Sequence, residues 1–129
     1  MIVGWDTETV RFEPGTMAPP IVCLQWSEDE GHVIIETGRA AIRDRANALL
    51  QRPSGGHNIS YDLACVLANF PDLAESIQKA LVEERLFDSQ TRQQLIDIRA
   101  GVYRGKEELE EDPGHEQRLR YGLADLVLR

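Results

Sequence analysis

The sequence predicts an α/β domain: a mixed central sheet, built from an antiparallel meander of three strands plus parallel strands, flanked by helices. Three observations lead there. Three short β-branched runs, joined by polar connections, fill the N-terminal third. Segments of helical period then alternate with short apolar runs, the pattern of a sheet covered on its faces. No stretch approaches the roughly 20 apolar residues that span a bilayer, and 129 residues suit a single domain.

Ile2–Trp5 leads into Asp6 and reads as the first strand. Arg11–Pro20 holds Pro14, Gly15, Pro19 and Pro20 and reads as a loop. Ile21–Ser27 (IVCLQWS) is the second strand, Glu28–Gly31 a polar turn and His32–Glu36 (HVIIE) the third strand. Across Arg39–Gln51, Ala40, Ile42, Ala46, Leu49 and Leu50 recur at helical spacing, and Pro53-Ser54-Gly55-Gly56 is expected to stop that helix. His57-Asn58-Ile59 fits a short fourth strand before a helix from Tyr61 to Asn69, ended by Phe70-Pro71. Leu73–Val82 sets Leu73, Ile77 and Leu81 on one side of a further helix. Arg85–Phe87 fits a fifth strand, Ser89–Ala100 another helix, and a long polar loop leads to a final helix over Glu116–Arg129.

Hydrophobic residues make up 42% of the chain, enough for one core, and 28% are charged, which is ordinary for a soluble protein. The N-terminus lacks the basic region and long apolar run of a signal peptide, so a cytoplasmic location is expected. Cys23 and Cys65 sit in apolar contexts without a Cys or His at zinc-ligand spacing and read as reduced core residues. The formal charge of −8 argues against a generic nucleic-acid binder, which neutralises phosphates with a basic surface. It is compatible with a carboxylate site, which is acidic until divalent cations fill it.

Asp6-Thr7-Glu8 stands at the end of the first strand. Side chains two apart on an extended chain share a face, so Asp6 and Glu8 are able to converge on one cation with oxygen ligands. The plainer reading is a solvent-exposed strand end. The second signal is Gly56-His57-Asn58-Ile59-Ser60-Tyr61-Asp62. Ser60 reads as an N-cap, with Asp62 in the first helical turn, where a carboxylate complements the helix dipole whatever else it does. Asn58 both donates and accepts, which suits a contact at a strand end.

Taken together, GWDTETV, IVCLQWS, GHNISYDLACVL and Leu86-Phe87-Asp88-Ser89-Gln90 resemble, in content and order, the DEDD (DnaQ-like) 3′→5′ exonucleases. The flavour is that of the proofreading domain of family A DNA polymerases and their phage relatives. The resemblance implies a ribonuclease-H-like three-layer fold and hydrolysis of 3′-terminal phosphodiesters by two divalent cations, Mg²⁺ or Mn²⁺, about 3.5–4 Å apart. It assigns the metal-binding and catalytic roles to Asp6, Glu8 and Asp62. Thr7, Asn58 and Tyr61 fall on the substrate side, although Tyr61 equally fits the core, and Asp88 reads as an N-cap rather than a ligand. A single-stranded DNA 3′ end and a polymerase domain become the implied partners, with RNA not excluded and no membrane.

A third motif is needed, and Tyr121-Gly122-Leu123-Ala124-Asp125 fits its letters. Leu119, Leu123, Leu126 and Val127 form the apolar stripe, however, and turn Asp125 the other way. The segment also resembles an earlier helix of the family, in which case the closing helix is missing, and the apolar patch it leaves on the sheet implies self-association. Alternative readings are a non-catalytic exonuclease-like module of a polymerase, a ribonuclease-D-like RNA 3′-end trimmer, and an unrelated nucleotide- or sugar-binding domain. The last lacks a P-loop, because Gly55-Gly56 has no Lys and Ser/Thr after it.

Overall fold

A computed structural model of the chain describes residues 2–15 and 18–101. It comprises two compact units, Met1–Asp88 and Ser89–Arg129. In the first, the order is β1 (Val3–Thr9), β2 (Ile21–Ser27), β3 (Ile34–Thr37), α1 (Arg39–Leu50), β4 (Ser54–Gly56), α2 (Ile59–Asn69), a 3-10 turn (Pro71–Leu73), α3 (Ala74–Val82) and β5 (Leu86–Asp88). In the second unit α4 spans Ser89–Arg99, with Gln93 Nε2 donating to Asp97 Oδ1 one turn on at 3.0 Å. The expected helix over Glu116–Arg129, and Tyr121 and Asp125 within it, lie outside the described residues.

The five strands lie in the order β3-β2-β1-β4-β5. β1 pairs antiparallel with β2 and β2 with β3, whereas β1 to β4 and β4 to β5 are parallel. This is the expected α/β class, a mixed sheet flanked by helices in the ribonuclease-H-like arrangement. A parallel step from β4 to β5 requires a crossover, which α2 and α3 supply.

β1 alternates. Val3, Trp5 and Thr7 are buried, while Gly4, Asp6 and Glu8 are exposed. The buried face meets Leu24 of β2 and the apolar sides of α1, α2 and α3, where Ile42, Leu50, Val66 and Ile77 close the core. Within the core the Trp5 indole donates to Ser54 Oγ (3.2 Å), whose hydroxyl donates to the Leu49 carbonyl (3.0 Å). At the far end of α2, Asn69 Nδ2 donates to the carbonyls of Cys65 and Pro19, and its Oδ1 accepts from Ile21 N. That side chain ties the loop before β2 to the helix.

Four expectations need correction. The first strand does not stop before Asp6; it continues to Thr9, because Asp6, Thr7 and Glu8 pair with Gln25, Leu24 and Cys23. The fourth strand is Ser54–Gly56 and not His57–Ile59. The glycines there allow strands to approach too closely for a side chain: a Cβ at Gly55 would stand 2.2 Å from the Phe87 carbonyl oxygen, and one at Gly56 2.5 Å from that of Trp5. Leu81 is exposed while Ile77 is buried, because the stripe through Leu73 and Ile77 continues at Ala80 and a second step of four residues carries Leu81 off that face. Cys65 is a free thiol in the core as expected, but Cys23 is only half-buried.

Candidate active site

The parallel strands β1, β4 and β5 point the same way, so their C-terminal ends form one edge of the sheet. β1 is where the sheet switches, with an antiparallel neighbour on one side and a parallel one on the other. In open α/β sheets such a switch point leaves a crevice beyond the strand ends. Around this point the chain places Asp6, Thr7 and Glu8 on β1, Asn58, Tyr61 and Asp62 at the start of α2, and Asp88 on β5.

β4 pairs with β1 only at Val3 and Gly4 and then departs into α2, opening the edge of β1 beyond that point. Asp62 fills the gap. Its Oδ1 accepts from the Thr7 backbone N–H at 2.8 Å and from the Thr7 hydroxyl at 2.6 Å. The side chain replaces a strand partner, and only 2% of the residue is exposed.

Burial pushes the Asp62 carboxyl up to about 6. The two Thr7 bonds act against that rise by stabilising the ionised form, and the nearby Asp6 carboxyl reinforces it, by repulsion and by a hydrogen bond that favours the neutral acid. Among the described residues no lysine, arginine or histidine forms an ion pair with Asp6, Glu8 or Asp62. The junction is a pair of carboxyl groups, one of them buried, without a counter-charge among the described residues.

The sequence-derived candidates fall into two groups. Asp6 and Asp62 are brought together. Glu8 shares the exposed face of β1 with Asp6 but stays outside the pair, and among the described residues no three His, Cys, Asp or Glu side chains gather around one point suited to a metal ion. Thr7 is buried, with its hydroxyl committed to Asp62, so it serves the site through that carboxyl. Tyr61 is surface-exposed, its hydroxyl 3.3 Å from that of Thr9.

Asn58 precedes α2 in the left-handed conformation (φ 58°, ψ 51°), which Asn tolerates better than other non-glycine residues. Its Oδ1 accepts from Ser60 Oγ at 3.1 Å. Ser60 is therefore inside the helix and not its cap. Asp88 performs that function from β5, accepting from Asn58 N (3.2 Å) and Ile59 N (3.1 Å). A carboxylate on the orphan amides of a helix start is favoured by hydrogen bonding and by the dipole. Sequence reading identified Asp88 as a capping residue but not the helix it caps.

The fold class is thus an α/β domain with paired carboxyls at its switch point. Compared with protein-family models, with curated proteins and with solved structures, the chain has no match.

Proposed function

We propose that the chain is a metal-dependent 3′→5′ exonuclease domain of the proofreading type. One observation carries the reading: the carboxyls of Asp62 and Asp6 interact beside the central strand, one of them buried, with no basic partner among the described residues. Such a pair is costly as it stands and becomes favourable once a divalent cation with oxygen-ligand preference is shared between them. Glu8, on the same face as Asp6, is the third ligand of the proposal.

Asp6, Glu8 and Asp62 would hold two Mg²⁺ or Mn²⁺ ions, which when bound supply an activated water and charge neutralisation at the departing 3′ oxygen. The chain's own residues do the rest. Thr7 and Asp88 hold Asp62 and the start of α2, and the exposed Tyr61, next to Asp62 in the chain, would stack against a base. The acidic balance of the chain fits a site that takes up cations before it admits a polyanion. A single-stranded DNA 3′ end is the proposed substrate, a polymerase domain the proposed partner, and the cytoplasm the proposed location. Among the described residues no helix is long and apolar enough to cross a membrane.

The test is a 5′-labelled single strand incubated with the protein and Mg²⁺ or Mn²⁺, with an RNA of the same sequence alongside. Stepwise shortening from the 3′ end, lost on chelation and in Asp6→Ala, is expected. A wild-type protein that leaves both strands intact, or an Asp6→Ala protein that shortens them equally, overturns the proposal. Cation binding without cleavage would put the non-catalytic polymerase module in its place.

A further inference from the structure

Two donors of one residue converge on one oxygen at the β1–α2 junction. The Thr7 N–H and the Thr7 hydroxyl both donate to Asp62 Oδ1, at 2.8 and 2.6 Å, across 55 residues of sequence. Thr7 is 5% exposed and Asp62 2%, so neither bond competes with water. An N–H or O–H donor fixes where an acceptor's electron density is committed. With Oδ1 taken by both, Oδ2 is the oxygen left for a cation or a proton.

Backbone alone makes only the first of these bonds. The second depends on the side chain at position 7 being a hydroxyl, and Thr suits the place further, because its β-branched methyl belongs in a strand. A Val of the same shape would keep the strand and the N–H while losing the hydroxyl.

We infer that Thr7 is a positioning residue for the proposed metal site, fixing the Asp62 carboxyl through Oδ1 so that its second oxygen is held ready beside Asp6. The inference rests on the exonuclease reading for what the site holds, but concerns cation binding and needs no turnover. Threonine between the two acidic residues of β1 then has a reason: the residues on either side face outward, and the one between them reaches inward to the third carboxylate.

The experiment is a Mn²⁺ titration, followed by electron paramagnetic resonance of the free ion, of the full chain as wild type, Thr7→Val, Thr7→Ala and Thr7→Ser. Circular dichroism selects the variants that fold. Wild type is expected to bind, and Thr7→Ser to bind within about twofold of it, because its hydroxyl restores the bond. Thr7→Val and Thr7→Ala are expected to bind about tenfold or more weakly, the usual cost of losing an outer partner of a ligand. Thr7→Ala, smaller than Thr, keeps the test open if Val disturbs the core. Either folded variant binding as tightly as wild type, or a Ser protein as weak as Val, overturns the inference and leaves the exonuclease reading standing. Wild type that binds no Mn²⁺ overturns both.

Discussion

Glu36, in the corner between β3 and α1, and Asp62, at the junction of β1 and α2, are both carboxyls drawn partly or wholly out of water, and their partners differ in sign. Glu36 Oε1 accepts from Arg45 Nε at 3.1 Å and from the Trp26 indole at 3.4 Å, and the Arg45 guanidinium lies over the Trp26 ring at 4.1 Å. That corner is electrically complete: the cation is a side chain of the protein, and the aromatic face adds to its hold. Asp62 has two neutral donors and a second carboxyl. The first arrangement needs nothing further. The second is costly as built, and on the proposed reading the difference separates a carboxylate that serves the fold from one that would take a cation.

The largest expected effect sets the two regions apart by activity. Asp6→Ala and Asp62→Asn should each lower metal-dependent shortening of single-stranded DNA by about a thousandfold or more, as for members of one catalytic unit. Glu36→Gln should leave it within about twofold of wild type. A Glu36→Gln protein as inactive as Asp62→Asn would erase the distinction.

Next comes stability, where the two regions should respond in opposite directions. Asp62 titrates near 6 in the folded chain against an ordinary 3.8. Between these values the folded state keeps a proton that the unfolded state has released, so stability falls as pH rises from about 4 to 6 and stays lower above. The shift corresponds to roughly 3 kcal/mol. Asn keeps an Oδ1 for both Thr7 donors and carries no charge, so Asp62→Asn should be more stable than wild type at pH 7 by roughly 2–3 kcal/mol in urea unfolding, with a flattened pH profile. Saturating Mg²⁺ should narrow that gap by stabilising only the wild type. A destabilised Asp62→Asn would make Asp62 a structural carboxylate like Glu36.

A smaller effect concerns the start of α2. Asp88→Ala removes the acceptor for the Asn58 and Ile59 amides and should cost about 1–2 kcal/mol, the range of a lost helix cap. The smallest belongs to the completed corner: Glu36→Gln should destabilise by about 1 kcal/mol or less, because Arg45 is partly exposed and water takes over its charge. Thermal unfolding of both variants at pH 7 checks the order.

Most of the fold was legible because local pattern and tertiary role agree. IVCLQWS is a strand by composition and by pairing, and the period of Ile42, Ala46 and Leu49 is the period of the buried side of α1. The exceptions arise where long-range contact overrules local preference. Ser54-Gly55-Gly56 looks like a turn, and becomes a strand because Phe87 and Trp5 approach the glycines closely from either side. The acidic residues of the site were legible in kind and in part of their placement: alternation put Asp6 and Glu8 on one face, and Asp62 in the first turn of its helix. What pattern does not carry is the partner across 55 residues. Nothing local to Thr7 says that its hydroxyl bonds a helix, or local to Asp88 that it caps α2 from another strand.

The most direct measurement of the central claim is the ¹³C NMR titration of the Asp62 carboxyl in wild-type protein, without and with saturating Mg²⁺. Titration near pH 6 without the ion, displaced well below that when Mg²⁺ is present, is the predicted result. A carboxyl that titrates in the ordinary aspartate range, or one whose titration Mg²⁺ leaves unchanged, contradicts it.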